Sequence, residues 1–385
     1  MRGGLRERSP GVWEVRAEAG RDPVSGKRRQ ISRTVRGTKR EAQRKLNALL
    51  AELDQGTHVG SEATFADVAE RWLDISGGDL SPTTLRRYRQ LLDLHILPAL
   101  GDRPAHKIRT SDLDDLYLGL IRQKGLAPAT VRQVHSVVRR ALGQAVRWGW
   151  VASNPAANTT PPRVPKPTIQ PPDVERVVEL LELASREYPE FGTFLHLAVT
   201  TGARRGELCA LKWQRIHWDA HTLTISRSIA EVKGGLVEKA TKTHSVRRIA
   251  LEEESISVLA EHRERAGRRA ADARCTLSGE SYVFTSDPSG SVPWTPSHAS
   301  KTFQRIRAQV GLNATRLHDL RHFTATSLLA AGVPIRTVSG RLGHANAATT
   351  LGVYAHFLET SDQAAAAVMG QALARASASQ VRRRS

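Results

Sequence analysis

Cysteine is scarce in this sequence. Two thiols in 385 residues, Cys209 and Cys275, fit neither a disulfide framework nor a metal-ligand spacing, so both read as buried or incidental. No apolar run is long enough to span a bilayer, and no apolar leader follows Met1-Arg2-Gly3-Gly4, so a cytoplasmic location and no membrane partner are expected. The histidines show no HExxH or Cys/His pattern, so no metal and no cofactor are expected. Acidic residues are scarce too: 38 Asp and Glu against 57 Lys and Arg leave a formal charge of +19. Such an excess repels itself unless a polyanion lies against it, and nucleic acid is the natural partner. With 40% hydrophobic and 25% charged residues the chain is nonetheless globular in type. It is too long for one core, so two or three domains are expected.

The pattern along the chain is mainly helical with small sheets. Trp13-Glu14-Val15-Arg16-Ala17 and Gln30-Ile31-Ser32-Arg33-Thr34-Val35 alternate as strands around turn chemistry at Asp22-Pro23-Val24-Ser25-Gly26-Lys27. Thr38 can then cap a helix through Leu46, Leu49 and Leu53, with Glu41 three residues on as its capping-box partner. A three-stranded sheet with one helix is expected over 1–58. A second, wholly helical module is expected over 62–157. There Thr64 caps a helix bearing Phe65, Val68, Trp72 and Leu73 on one face, and Ser81-Pro82 starts the next. A later helix from Ala127-Pro128 to Trp148-Gly149 turns Val131, Val134, Val138 and Leu142 inward. Its other face carries Arg132, Arg139, Arg140 and Arg147. The proline-rich stretch 158–172 reads as a semi-rigid linker. From 173 to 385 the pattern is helices, a short sheet and helices again. Phe194 to Val199 form a buried helix leading into a corner at Thr201-Gly202. The strand candidates Thr222–Ile225 and Val246–Leu251 flank a Gly234-Gly235 turn.

The chemistry concentrates in this last part. Thr201-Gly202-Ala203-Arg204-Arg205-Gly206-Glu207, His318-Asp319-Leu320-Arg321-His322, Leu342-Gly343-His344 and Tyr354 supply arginines, histidines and a tyrosine in order. Paired guanidiniums can neutralise a pentacoordinate phosphorus as a metal otherwise would. Histidine can move protons near neutral pH, and a tyrosine can attack phosphorus to form an ester. Glu207 stands one helical turn beyond Arg204, where its carboxylate can steady the guanidinium.

These motifs, with Thr241-Lys242-Thr243-His244-Ser245, resemble in type and order those of the tyrosine recombinases, the phage-integrase family. Leu94 to Asp102 and Asn154-Pro155 are similar to that family's core-binding domain, so the likeness covers most of the chain. The resemblance implies an arm-type DNA-binding domain at 1–58, a helical SAM-like core-binding domain at 62–157 and an α+β catalytic domain at 173–385. It implies that Tyr354 attacks the scissile phosphodiester to give a 3′-phosphotyrosyl DNA and a free 5′-hydroxyl, with no metal or nucleotide. Arg204 and Arg321 would contact the non-bridging oxygens, Lys242 would protonate the leaving 5′-oxygen, and His318 would exchange a proton on the nucleophile's side. His344, placed after Gly343 at a helix start, would hydrogen-bond a phosphate oxygen. Arg205 is expected in an ordinary salt bridge or on a neighbouring phosphate, and His322 and His356 are expected to be structural. The groove candidates of the arm sheet are Arg16, Arg28, Arg29, Arg33 and Arg36. The same likeness implies double-stranded attachment sites, a homotetramer on DNA, and room for a directionality factor or a host DNA-bending protein.

Other readings share parts of this pattern. A chromosome-dimer-resolving recombinase usually lacks the N-terminal module, and a type IB topoisomerase would leave it unexplained. A DNA-binding regulator on the same fold would be expected to have lost part of the set Arg204, Lys242, His318, Arg321, His344 and Tyr354.

Overall fold

A computed structural model describes residues 3–21, 28–54, 63–165, 171–232, 234–241 and 246–343, with 366, 369–371 and 373–374 beyond. Lys242, His344, Tyr354 and His356 lie outside the described residues, as does the side chain of Arg29. The chain forms two compact units, 1–166 and 167–385. None of the described helices is long and apolar enough to cross a membrane.

The first unit opens with an antiparallel sheet in the order β1 (Gly3–Ser9), β2 (Val12–Arg21), β3 (Arg28–Arg36). Leu5 pairs with Val15 and Val15 with Arg33. Val15 and Ala17 pack beneath Ala42, Leu46 and Leu49 of α1 (Lys39–Asp54). The start of α1 follows from its sequence: Thr38 and Glu41 exchange hydrogen bonds, the Glu41 backbone N–H donating to Thr38 Oγ1 and the Thr38 N–H to Glu41 Oε2 at 2.8 Å.

A helical bundle follows. Its helices are α2 (Phe65–Ser76), α3 (Pro82–Leu91), α4 (Leu97–Leu100), α5 (Thr110–Arg122) and α6 (Pro128–Arg147). Thr64 and Asp67 form a capping box ahead of α2, and Ser81 caps α3 with proline at its first turn. Between α3 and α4 the backbone widens into a π-turn over Leu92–Ile96. Pro98 has no N–H to give the Leu94 carbonyl one turn back, and that oxygen accepts from Lys124 Nζ at 3.3 Å instead. Val131, Val134, Val138 and Leu142 of α6 are fully buried among Phe65, Ile96 and Leu113. Thr159 belongs by composition to the proline-rich stretch, yet it is buried. Its hydroxyl donates to the Ala156 carbonyl and shares His135 Nδ1 with Tyr117. Its neighbours Asn158 and Thr160 are exposed.

The second unit holds α7 (Val174–Glu187), α8 (Pro189–Thr201), α9 (Arg205–Cys209), strands β4 (Ile216–His217), β5 (Thr222–Ile225), β6 (Arg227–Val232), β7 (Gly235–Ala240) and β8 (Arg247–Ala250), then α10 (Glu253–Asp272), α11 (Pro296–Gln309), α12 (Asp319–Ala330) and α13 (Ile335–Leu342). Phe194, Phe284, Phe303 and Trp294 anchor its core. Both expected strands form, as β5 and β8, and they pair with each other, Thr222 opposite Ala250, in the sheet β4-β5-β8. A separate hairpin, β6–β7, is inserted between them. Charges at Arg227, Glu231, Glu238 and Lys239 hide its alternation in the sequence. Part of its burial comes from the close approach of α9, where a Cβ on Gly206 would lie 2.6 Å from the Ile229 carbonyl oxygen. Cys209 is buried in this core, and burial pushes its thiol up to about 12.

Candidate active site and nucleic-acid surfaces

The corner at the end of α8 organises the site. Gly202 closes the helix in the left-handed region at φ 64°, and a side chain there would strike Leu342. The tight turn lets α8, α12 and α13 converge. Arg321 of α12 is buried and donates from Nη1 to the Gly202 carbonyl at 2.6 Å, across 119 positions of sequence. Thr324 Oγ1 donates to the Val199 carbonyl one turn along.

Arg204 stands just outside the corner in extended conformation, with Glu207 one turn into α9. The Arg204 backbone N–H donates to Glu207 Oε2 at 2.9 Å and its Nη1 to Oε1 at 2.9 Å, so the expected steadying contact is present. Arg204 Nη2 donates to the Gly343 carbonyl at 3.2 Å. Its guanidinium is thereby held from two sides while remaining partly open to solvent. Arg205 is exposed and its Nη1 meets the Ser300 hydroxyl. Adjacent residues at a helix start point in different directions, and only Arg204 faces Glu207. Gly343 caps the end of α13 at φ 70°, and the helix start expected at His344 lies outside the described residues.

Sequence reasoning missed Arg247. It is buried on β8 and grips Glu207 from the far side, Nη2 to Oε2 at 2.6 Å and Nη1 to Oε1 at 3.3 Å. The signal existed: residues 247–250 alternate inward and outward, and Arg247 falls in phase with Ile249 and Leu251. Arg341 was missed as well; it donates to the Thr200 and Ala250 carbonyls. Burial raises the Glu207 carboxyl, and the hydrogen bonds and charge of Arg247 with the N–H and charge of Arg204 outweigh it, leaving Glu207 ionised below its ordinary value.

His318 sits at the N-terminal end of α12, its ring edge-on to His322 at 5.1 Å between centroids. Its outer edge is open to solvent. Partial burial lowers its pKa, and the charges of His322, Arg321 and Arg204 lower it further. Burial and these charges together favour its neutral imidazole. His322 is lowered mainly by burial.

Two further surfaces are basic. On the arm sheet, alternation puts Arg6, Arg8, Arg16, Arg28 and Arg36 on the face away from α1. Arg33, paired with Val15, lies on the opposite face, so it does not join Arg16. Glu14 at the centre of the open face accepts from Arg8 Nε at 3.0 Å, Arg16 Nη2 at 2.9 Å and Ser32 Oγ at 2.7 Å. The Arg16, Arg8 and Ser32 hydrogen bonds hold its carboxyl at about 2. On α6, Arg132, Arg139, Arg140 and Arg147 are exposed. A groove of about 650 Å³ between α3 and α6 is lined by Thr83, Arg87 and Arg132. A second, of about 610 Å³, is lined by Trp72, Arg139, Arg140, Arg147 and Asn154.

The comparisons with known proteins agree with this arrangement. Residues 168–360 match the phage integrase family, and residues 64–121 match the phage integrase N-terminal SAM-like domain. The chain belongs to the phage integrase family, the tyrosine recombinases, whose common activity is the cleavage and rejoining of DNA. Among curated relatives, a tyrosine recombinase XerC-like protein of Caldanaerobacter subterraneus is 27% identical over 83% of this chain and 86% of its own. An integrase of Streptomyces ambofaciens is 27% identical over 93% and 92%. The ICEBs1 integrase of Bacillus subtilis is 24% identical over 90% and 93%. The fold is similar to that of the Tn1549 transposon integrase in complex with transposon right end DNA, with a TM-score of 0.68 at 20% identity, covering 80% of this chain and 99% of that one. It is similar also to a lambda integrase tetramer bound to a Holliday junction, with a TM-score of 0.56 at 20% identity over 90% and 94%.

Proposed function

We propose that the chain is a site-specific integrase that cuts and rejoins duplex DNA through a 3′-phosphotyrosyl intermediate on Tyr354, integrating and excising a phage or mobile element. The observation that carries this reading is the convergence of Arg204, Arg321 and His318 on one corner, from segments 119 positions apart at the Gly202–Arg321 contact. Two fixed guanidiniums suit the non-bridging oxygens of a phosphodiester, and their charge counts most where negative charge builds in the transition state. His318, neutral near pH 7, can accept the tyrosine hydroxyl proton as the Oη–P bond forms. The P–O5′ bond then breaks and Lys242 protonates the departing 5′-oxygen, while His344 donates to a phosphate oxygen. The ester keeps the energy of the broken bond, so a second 5′-hydroxyl can reverse the step without metal or nucleotide.

In the same reading the chain is an arm-type domain at 1–58, a core-binding domain at 62–157, a linker at 158–172 and a catalytic domain at 173–385. Arg16, Arg28 and Arg29 of the sheet and Arg132, Arg139 and Arg140 of α6 contact DNA, with Arg33 contributing least. Tetramer assembly on two attachment sites, in the cytoplasm, with a directionality factor or host bending protein, completes it. The named relatives support the integrase sense, and the arm sheet favours an integrase over a chromosome-dimer resolvase. The test mixes the full chain with nicked duplexes tiled across a site recovered by binding selection from a random library, in EDTA and without ATP. A covalent adduct from the wild type and none from Tyr354→Phe is expected. Tight binding with no adduct from the wild type would favour a non-catalytic regulator.

A further inference from the structure

Glu207 is a lone carboxylate wedged between two guanidiniums, and only one of them, Arg204, is open to solvent. The other, Arg247, has a side chain 6% exposed, so it cannot reach a substrate. Its three nitrogens are all engaged. Nη1 and Nη2 go to Glu207, and Nε donates to the Arg341 carbonyl at 2.9 Å, on the last turn of α13. The chain makes room for this grip at Gly343. A Cβ there would lie 2.7 Å from Arg247 Nη1 and 2.9 Å from its Cζ, on a backbone whose positive φ already disfavours a side chain. The Gly343 carbonyl so placed accepts from Arg204 Nη2. One buried side chain thus touches both supports of Arg204: the carboxylate that takes Nη1 and the helix end that takes Nη2.

We infer that Arg247 is a positioning residue for the reaction: it bonds both oxygens of Glu207 and fixes the end of α13, so that Arg204 presents its remaining N–H groups outward in one orientation. The inference rests on the recombinase reading above. The physical reason lies in what Glu207 would do without it. A buried carboxylate left with a single guanidinium would draw Arg204 into a two-pronged pair, since that geometry satisfies both oxygens. It would take with it the N–H groups meant for phosphate. Arg248, next in sequence, is exposed and cannot substitute.

The test compares wild type, Arg247→Lys, Arg247→Met and the double variant Arg247→Met with Glu207→Gln, all as full chains. Three quantities are read: the dissociation constant for a selected duplex, the rate of covalent adduct formation on its nicked form at saturating DNA, and the melting temperature. Arg247→Met should bind the duplex within about threefold of wild type, yet form adduct on the order of 100-fold more slowly, the scale of a reacting group displaced by an ångström. The double variant removes the buried carboxylate charge that has lost one of its two guanidiniums, so its melting temperature should recover while its rate stays low. Arg247→Lys keeps the charge but lacks the fork that reaches Glu207 and the Arg341 carbonyl together, so its rate should fall between the two. Wild-type rate in Arg247→Met would overturn the inference. So would a rate that returns with melting temperature in the double variant, or a defect abolished by more DNA. An adduct-free wild type would instead bring down the recombinase reading and this inference with it.

Discussion

Two carboxylates in this chain each hold a pair of arginines, and the pairs behave differently. Glu14 binds Arg8 and Arg16 on an open three-stranded sheet, where those arginines remain 60% and 39% exposed. Glu207 binds Arg204 and Arg247 where two helix ends and a strand meet, and there the exposures fall to 26% and 6%. Around Glu14 the arginines lie on the open face of the sheet, largely exposed. The cover over Glu207 is the fold itself, with the Gly343 carbonyl taking an N–H of Arg204 and the Arg341 carbonyl an N–H of Arg247. The same three groups therefore make an exposed cluster in one place and an enclosed one in the other. Long-range contacts decide which.

The sharpest way to break this contrast is to remove each carboxylate. Glu207→Ala leaves Arg247 charged and buried and should cost about 3–5 kcal/mol in chemical denaturation of the full chain. Glu14→Ala returns its arginines to water and should cost clearly less; equal losses would erase the distinction. Next in size, Arg321→Ala should slow adduct formation at saturating DNA by on the order of 10² to 10³-fold, as for the loss of one preorganised donor. Arg16→Ala should leave that rate alone and weaken only binding.

Acid offers a third probe, of the second unit's core. His262 is buried against Trp213 and Phe284; its Nε2 donates to the Val283 carbonyl at 2.8 Å, and Nδ1 has no partner. Burial lowers its pKa from 6.5 to about 4. The unfolded chain binds this proton below 6.5 and the folded chain only near 4, so in that window acid favours unfolding. Stability should fall as pH drops from 6.5 and level off near 4, by on the order of 3 kcal/mol from this one group. A His262→Gln variant should show a shallower fall. The smallest effect separates the two sheet faces: Arg16→Ala should reduce the salt slope of DNA binding by about 0.9 and Arg33→Ala by almost nothing.

Much of the scaffold was readable because its signals are local. Thr38 with Glu41, Thr64 with Asp67 and Ser81-Pro82 each start a helix by contacts within four residues, and the apolar face of α6 follows a simple period. The Arg204–Glu207 contact was legible for the same reason. The β6–β7 hairpin was not, because its charges mask the alternation and part of its burial depends on a glycine in another element. Nor was Arg247, whose burial is created by a carboxylate 40 positions away. A sequence shows where a charge is, but only the fold shows that it is enclosed.

The central claim is that the arginine corner serves a tyrosine attacking phosphorus. It is tested most directly by digesting the trapped adduct with protease and nuclease and identifying the linked peptide and DNA end by mass spectrometry. The account predicts a single peptide joined through Tyr354 to a 3′-phosphate. Linkage through another residue, or to a 5′-phosphate, would contradict it.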